Sequence, residues 1–181
     1  MGPARKGGYH MSGEARQELG GPAIREAAGA DWAAIWEMFR LVAAAGDAFA
    51  YDGDTPEDVA RRLWLLPPAR PFVAELGGRV VGTYYLRPNQ PGRGAHVANA
   101  GYMVADEARG RGLASALCGH SLETARRLGF LAMQFNFVVS TNAAALRVWE
   151  RHGFAVVGRL PRAFRHATLG LVDALVLHRE L

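Results

Sequence analysis

The sequence predicts one domain of mixed α/β class, and three observations lead to that prediction. Short apolar runs of strand-like composition are interleaved with segments whose apolar residues recur at helical spacing. Glycine, proline and polar clusters separate most of these runs, as expected for turns between elements. The stretch from Val97 to Gly129 joins a strand-like run to a helical one through a glycine-rich loop. Strands and helices therefore alternate along the chain.

Composition restricts the class of protein further. Half of the 181 residues are hydrophobic, which suffices for a packed core, and no apolar run reaches the ~18 residues of a membrane span. The 21 basic residues exceed the 17 acidic ones, but only Lys6 is a lysine and no aromatic–basic interleaving indicates nucleic-acid binding. The single cysteine, Cys118, excludes an internal disulfide, and no histidine pair has metal-ligand spacing. We expect a cytoplasmic protein without a metal, from a bacterium with a GC-rich genome.

Seven strand-like runs follow a glycine-rich N-terminal segment. Residues 1–21 lack periodicity and are predicted to form a flexible tail, with the domain over residues 22–181. The strand-like runs cover residues 23–27, 72–76, 80–86, 97–104, 131–139, 154–160 and 172–178. In the fifth run, strict alternation predicts that Phe135 and Phe137 share one face and that Val138 lies on the other.

Four segments have helical periodicity. They cover residues 31–45, 55–65, 110–128 and 141–152. Asp31 and Thr55 are typical N-cap residues for the first two helices. Cys118 lies on the apolar face of the third helix, so we expect a small core residue rather than a nucleophile.

The loop before the third helix has the composition of a phosphate site. It reads Arg109-Gly110-Arg111-Gly112-Leu113-Ala114. The first N–H groups of a helix have no partner inside it, and the helix dipole there favours negative charge. The two glycines let the main chain approach a ligand closely. A dinucleotide fingerprint would need a third glycine where Ser115 stands, so we predict a pyrophosphate cradle of another type.

Two motifs together resemble the GNAT superfamily of N-acetyltransferases. The loop fits the pattern Arg/Gln-x-x-Gly-x-Gly/Ala through Arg109, Gly112 and Ala114. The stretch from Asn142 to Phe154 is similar to Asn-x-x-Ala-x-x-Leu-Tyr-x-x-x-Gly-Phe. Two spaced motifs in this order, each preceded by a strand, are far more specific than either one alone.

The resemblance implies the GNAT fold, with acetyl-CoA as co-substrate. This is a mixed, twisted sheet of about six to seven strands with about four helices, in which the strands that end at Val104 and Val139 splay apart. The pantetheine arm is expected in that opening. The implied acetyl-CoA residues are Met103 and Val104 through backbone groups, Arg109, Gly110, Arg111, Gly112, Leu113 and Ala114 in the cradle, and Asn142, Ala145, Trp149 and Arg151 opposite. Arg111, Arg147 and Arg151 are alternatives for the 3′-phosphate.

The chain departs from the family at two catalytic positions. The usual tyrosine is replaced by Trp149, whose indole N–H donates a hydrogen bond but supplies no proton at neutral pH. The glutamate often found in the strand before the cradle is absent, and Asn99 is the polar residue there. We expect Asn99 to orient the amine or a water, and a backbone N–H near Val104 to stabilise the oxyanion. No side chain is assigned as the general base.

Three segments are expected to form the acceptor pocket. They contribute Asp47, Phe49, Tyr51 and Asp52 after the first helix, Tyr84 and Tyr85 in the hairpin, and Arg159, Arg162, Phe164, Arg165 and His166 in the last loop. Three arginines favour an acceptor with a carboxylate, so we predict a small-molecule amine such as an amino acid or an analogue. Acetylation of a protein N-terminus or lysine, and a non-catalytic CoA-binding sensor, stay open as alternatives. A homodimer is compatible with the fold, but no sequence feature requires one.

Overall fold

Within residues 21–181, which the computed structural model describes, seven strands form one sheet. They are β1 (Ala23–Glu26), β2 (Arg70–Leu76), β3 (Arg79–Pro88), β4 (Val97–Val104), β5 (Ala132–Val139), β6 (Ala155–His166) and β7 (Gly170–Glu180). Their order across the sheet is β1-β2-β3-β4-β5-β7-β6, and β4–β5 is the parallel pair. The mixed sheet is confirmed. The tail predicted over residues 1–21 lies, apart from Gly21, outside the described residues.

Four helices cover the two faces of this sheet. They are α1 (Trp32–Ala45), α2 (Glu57–Trp64), α3 (Leu113–Arg127) and α4 (Ala143–Arg151). One core lies under α1 and α2, where Phe39 and Trp64 are each 1% exposed. The other lies under α3 and α4, around Leu117 and Trp149. Each helix buries its apolar stripe against the pleated sheet, which is the main source of stability for short helices.

The predicted N-caps are wrong in detail. The Asp31 carboxylate does not bond to an amide of α1; it accepts hydrogen bonds from the Arg25 guanidinium at 2.7 and 2.9 Å and from the Ala28 N–H at 2.7 Å. The Thr55 hydroxyl donates to the carbonyl of Asp52 at 2.6 Å, and α2 begins two residues later. Each side chain bonds to a main-chain group three residues earlier, as short polar side chains regularly do, and Asp31 also bonds to Arg25 of β1.

A bulge in β5 overturns the predicted alternation beyond Phe135. The pairing with β7 shifts by one residue between Phe135 and Val138. Phe135 and Val138 consequently contact the same core, whereas Phe137 contacts Phe164 at a centroid distance of 6.3 Å. An inserted residue exchanges the two faces of a strand, and single-strand patterning does not reveal where the insertion falls.

The strands β4 and β5 separate shortly after they begin. Their ladder contains the pairs Val97–Ala132 and Ala98–Met133, and it ends there although both strands continue for six residues. The predicted splay between the strand ends is therefore confirmed. The resulting gap lies in the middle of the sheet, between the two cores.

The C-terminal hairpin is longer than predicted. The strand β6 continues to His166 instead of ending near residue 160, and β7 already starts at Gly170. The segment predicted as the last loop is therefore an edge strand. No helix of the described range is both long and apolar enough to cross a membrane. Residues 21–181 also contain no cluster of three or more His, Cys, Asp or Glu side chains that could hold a metal.

Candidate active site

A cavity of about 280 Å³ passes through the gap between β4 and β5. Ala145 and Trp149, which pack with the core under α3 and α4, form part of one wall. Tyr51 and Tyr85, which pack with the core under α1 and α2, form part of another. Because these walls lie on opposite faces of the sheet, the cavity joins the two sides of the molecule.

In β4, every second residue directs its backbone N–H and C=O groups toward this gap. The N–H of Asn89 donates to the carbonyl of Val97 at 2.8 Å, and that of Ala105 donates to Val81 at 2.9 Å. In an antiparallel ladder such hydrogen-bonded pairs recur at every second residue. The odd-numbered residues of β4 thus bond to β3, and residues 100, 102 and 104 direct their N–H and C=O groups toward β5.

This register supports one backbone prediction and corrects another. Val104 directs its N–H into the gap, where a developing oxyanion could accept it. Met103 lies opposite Thr83, its backbone groups are used by β3, and its side chain is 2% exposed under α1. Tyr102, not Met103, therefore accompanies Val104 as a source of backbone partners along the gap.

The loop before α3 exposes a run of unpaired amides. Among residues 21–181, the N–H groups of residues 110–115 donate to no backbone carbonyl, and the first that does so is that of Ala116. Gly110 and Gly112 have φ of 74° and 77°, and a Cβ at either position would meet nothing within 4 Å. Six amides at a helix N-terminus beside open space fit a pyrophosphate. The exposed Arg109 side chain pairs with Asp106 at 2.9 Å.

The helix α4 carries Ala145 and Trp149 of the cavity wall, and residues at its two ends fix its position. The side chain of Asn142 caps the helix by accepting from the N–H of Ala145 at 3.1 Å. At the other end, Nε2 of His152 lies 2.8 Å from the Ser115 hydroxyl in the first turn of α3. This hydrogen bond joins α4 to α3. Trp149 is 7% exposed, whereas Arg151 is an exposed residue that does not line the cavity.

Comparison with known proteins agrees with this geometry. The model of the acetyltransferase (GNAT) family matches residues 32–154. The chain belongs to the GNAT family. It is similar to a solved GCN5-related N-acetyltransferase from Kribbella flavida, with 45% identity and a TM-score of 0.85 over 89% of this chain and 98% of that one. It also resembles yncA of Salmonella typhimurium, solved with its cofactor acetyl-CoA, with 25% identity and a TM-score of 0.75 over 90% and 95% of the two chains.

Two curated relatives, both named as acetyltransferases, differ in how much of their length is matched. The L-methionine sulfoximine/L-methionine sulfone acetyltransferase of Pseudomonas aeruginosa is 32% identical over 77% of this chain and 83% of that protein. N-acetyltransferase aca1 of Schizosaccharomyces pombe is 37% identical over 98 residues. This chain spans 47% of the length of the yeast protein.

Asn99 is a polar residue of β4, the strand before the cradle, and its side chain joins the two separating strands. Its Nδ2 donates to the carbonyl of Gln134 at 2.9 Å, one step beyond the last β4–β5 pair. The residue is 7% exposed and lines the cavity, and within residues 21–181 its Oδ1 accepts no hydrogen bond. The side-chain amide of Asn99 thus closes the narrow end of the gap, and its Oδ1 is free to accept a hydrogen bond.

Asn99→Ala is expected to lower stability and turnover together. The Gln134 carbonyl would lose its partner, which costs about 1–3 kcal/mol for a buried group. Urea unfolding and CoA release by the same preparations measure the two effects. For the unfolding measurement Asn136→Ala is the matched control, because Asn136 is exposed and its side chain bonds only to the Asn89 and Gln134 side chains. Unchanged unfolding of Asn99→Ala would contradict the bridging role.

The acceptor side of the cavity contains an arginine that sequence reasoning missed. Arg87 lines the cavity, and its Cζ lies 5.1 Å from the centroid of the Tyr85 ring. It is the charged residue of the lining, which otherwise contains no Lys, Asp, Glu or His. Its position at the end of an apolar strand is the signal that was available, since Tyr85 and Arg87 share a face two residues apart.

Several predicted acceptor residues lie elsewhere. Tyr84 points to the opposite face, where its hydroxyl is 2.8 Å from Nδ1 of His120, because adjacent strand residues face opposite ways. Arg159 pairs with Asp173 at 2.6 Å, and the Arg162 N–H donates to the same carboxylate. The arginines of β6, Arg165 included, do not line the cavity. Phe49 and Tyr51, in contrast, do line the cavity.

The titratable lining of the cavity consists of Arg87 and tyrosines. Burial raises the pKa of Tyr85 to about 12, although the charge of Arg87 opposes the shift. Burial also raises the pKa of Tyr51 and, to a greater extent, that of Tyr102. These phenols therefore stay protonated near neutral pH. They can donate hydrogen bonds but cannot act as strong bases.

Proposed function

We propose that this protein is an acetyl-CoA-dependent N-acetyltransferase whose acceptor is the amine of a small molecule. The cavity through the sheet carries the proposal, since it connects a phosphate-binding side with a separate acceptor side. Two substrates that enter from opposite faces would meet at the β4–β5 gap. Membership of the GNAT family and the acetyl-CoA of the Salmonella relative support the donor.

The donor is assigned to the cradle and the gap. The amides of residues 110–115 would bind the pyrophosphate, with the cradle residues predicted above. The pantetheine arm would bond to the backbone of Tyr102 and Val104 as an added strand does, with Asn142, Ala145 and Trp149 along its other side. Arg111 precedes α3, Arg147 and Arg151 lie on α4, and all three are exposed and remain candidates for the 3′-phosphate.

The acceptor class is proposed from Arg87. A guanidinium in an otherwise uncharged cavity favours a ligand that brings a negative charge, and a carboxylate matches its bidentate geometry. A polyamine would meet repulsion from the same group. An amino acid or an analogue is thus the acceptor class we propose, and the P. aeruginosa relative named for L-methionine sulfoximine is consistent with it.

A thiol-release assay with acetyl-CoA tests the proposal. Amino acids, polyamines, aminoglycosides and short peptides form the acceptor panel. CoA release with amino acids would support the proposed class. Release confined to peptides would replace it by protein acetylation, and tight acetyl-CoA binding without release on any class would favour a sensor.

A further inference from the structure

The side chain of Tyr85 reaches from β3 across the main chain of β4. A Cβ added to Gly101 would lie 2.7 Å from Cε1 and 3.1 Å from Oη of Tyr85, so only glycine leaves room for the ring. Trp64 meets the ring edge-on at a centroid distance of 4.8 Å, and Arg87 lies over its face. Because β4 borders the gap, the Tyr85 hydroxyl is held at the acceptor edge of the gap.

Few side chains at this position can transfer a proton. Indole and guanidinium side chains, such as those of Trp149 and Arg87, are not proton-transfer groups, and the lining holds no carboxylate or imidazole. The Tyr102 hydroxyl is already bonded to Ser121 at 2.7 Å. Tyr85 is 6% exposed as a residue, yet within residues 21–181 its hydroxyl makes no hydrogen bond and is not sealed from the cavity. An otherwise buried phenol thus presents a free hydroxyl to the gap.

We propose that Tyr85 is a catalytic residue that relays a proton from the attacking amine to the departing sulfur. The inference rests on the proposed function. The amine nitrogen bonds to the thioester carbonyl carbon, the carbon–sulfur bond breaks, and one N–H proton must leave while the sulfur gains one. The phenol gives its proton to the sulfur and takes the proton from nitrogen, so it ends unchanged and no separate base is needed.

The environment of Tyr85 suits a relay better than a base. Burial raises its pKa to about 12, so it remains a phenol at neutral and moderately alkaline pH. A phenol carries both a donor and an acceptor on one atom, as the relay requires. Tyr85 would thus take over the proton transfer for which the family usually has a tyrosine at the position of Trp149.

Tyr85→Phe tests the inference. We expect kcat to fall about 100-fold, the low end for loss of a proton-transfer group, with acetyl-CoA Kd and acceptor KM within about threefold of wild type. Imidazole buffer should raise kcat of the variant in proportion to its concentration, because a solute then carries the proton, and should leave wild type unchanged. Gly101→Ala, which pushes the ring aside, should lower kcat in the same way.

Tyr84→Phe is the matched control, since it removes a hydroxyl from the neighbouring residue on the other face of β3. Its kcat should stay within about twofold of wild type. Full turnover in Tyr85→Phe, or a larger loss of kcat in Tyr51→Phe, would overturn the role of Tyr85 and leave the proposed function intact. Absence of CoA release by wild type with every acceptor would overturn the proposed function and the relay with it.

Discussion

Gly112→Asp is expected to abolish acetyl-CoA binding without unfolding the domain. The substitution places a carboxylate among the free amides of residues 110–115, where the pyrophosphate is proposed to lie. Juxtaposed like charges cost several kcal/mol, which corresponds to more than a 100-fold loss of affinity. Titration calorimetry with acetyl-CoA measures the loss, and circular dichroism verifies the fold.

Gly78→Asp controls for the strain of the backbone in Gly112→Asp. Gly78 has a φ of 76°, nearly the 77° of Gly112, and a Cβ there would also meet open space. It lies in the β2–β3 turn, away from the cradle. A loss of affinity that both variants share is attributed to the strain of a non-glycine residue at positive φ. Binding by Gly112→Asp within threefold of the Gly78→Asp value would show that the cradle does not hold the pyrophosphate.

Arg87→Met is expected to lower kcat/KM for amino-acid acceptors by about 10- to 100-fold, the range for a lost charge-assisted hydrogen bond. Methionine retains much of the aliphatic stem of arginine and removes the guanidinium that lies over Tyr85, so the change is mainly one of charge. The matching amino-acid amides, which lack the carboxylate, should lose much less. Initial rates over both acceptor series give the comparison.

Arg165→Met is the corresponding control on the edge strand β6, where the side chain is exposed and does not line the cavity. Its kcat/KM for amino acids should match wild type. Equal losses for acids and amides in Arg87→Met would show that Arg87 supports the fold of the pocket and does not bind a carboxylate. A loss of kcat/KM in Arg165→Met would indicate that arginines of the C-terminal hairpin, and not Arg87, bind the carboxylate of the acceptor.

Local patterns predicted most of the fold because each depends on neighbours in sequence. Apolar spacing placed all four helices, and the Gly77-Gly78 pair placed the hairpin, whose two glycines have positive φ. The bulge in β5 and the length of β6 were missed, because both depend on which strand lies alongside.

The acceptor side shows the same division between local and long-range information. Tyr85 was placed in the pocket together with Tyr84, although a single strand must send the two to opposite faces. Arg87 was missed because its only local signal is the strand face that it shares with Tyr85, whereas the loop at Phe49 and the strand β5, both distant in sequence, complete the lining. Three arginines clustered in sequence were preferred, but Asp173 pairs with one of them and none lines the cavity.

The sequence by itself determined the family and the order of elements, and it predicted the cradle, since glycine positions and periodicities act within a few residues. The tertiary structure alone decided which backbone groups of β4 face the gap, where Arg87 stands and how Tyr85 crosses Gly101. Those facts follow from strand register and from the face on which each side chain emerges. Both are set by packing between segments far apart in the chain, which no local pattern records.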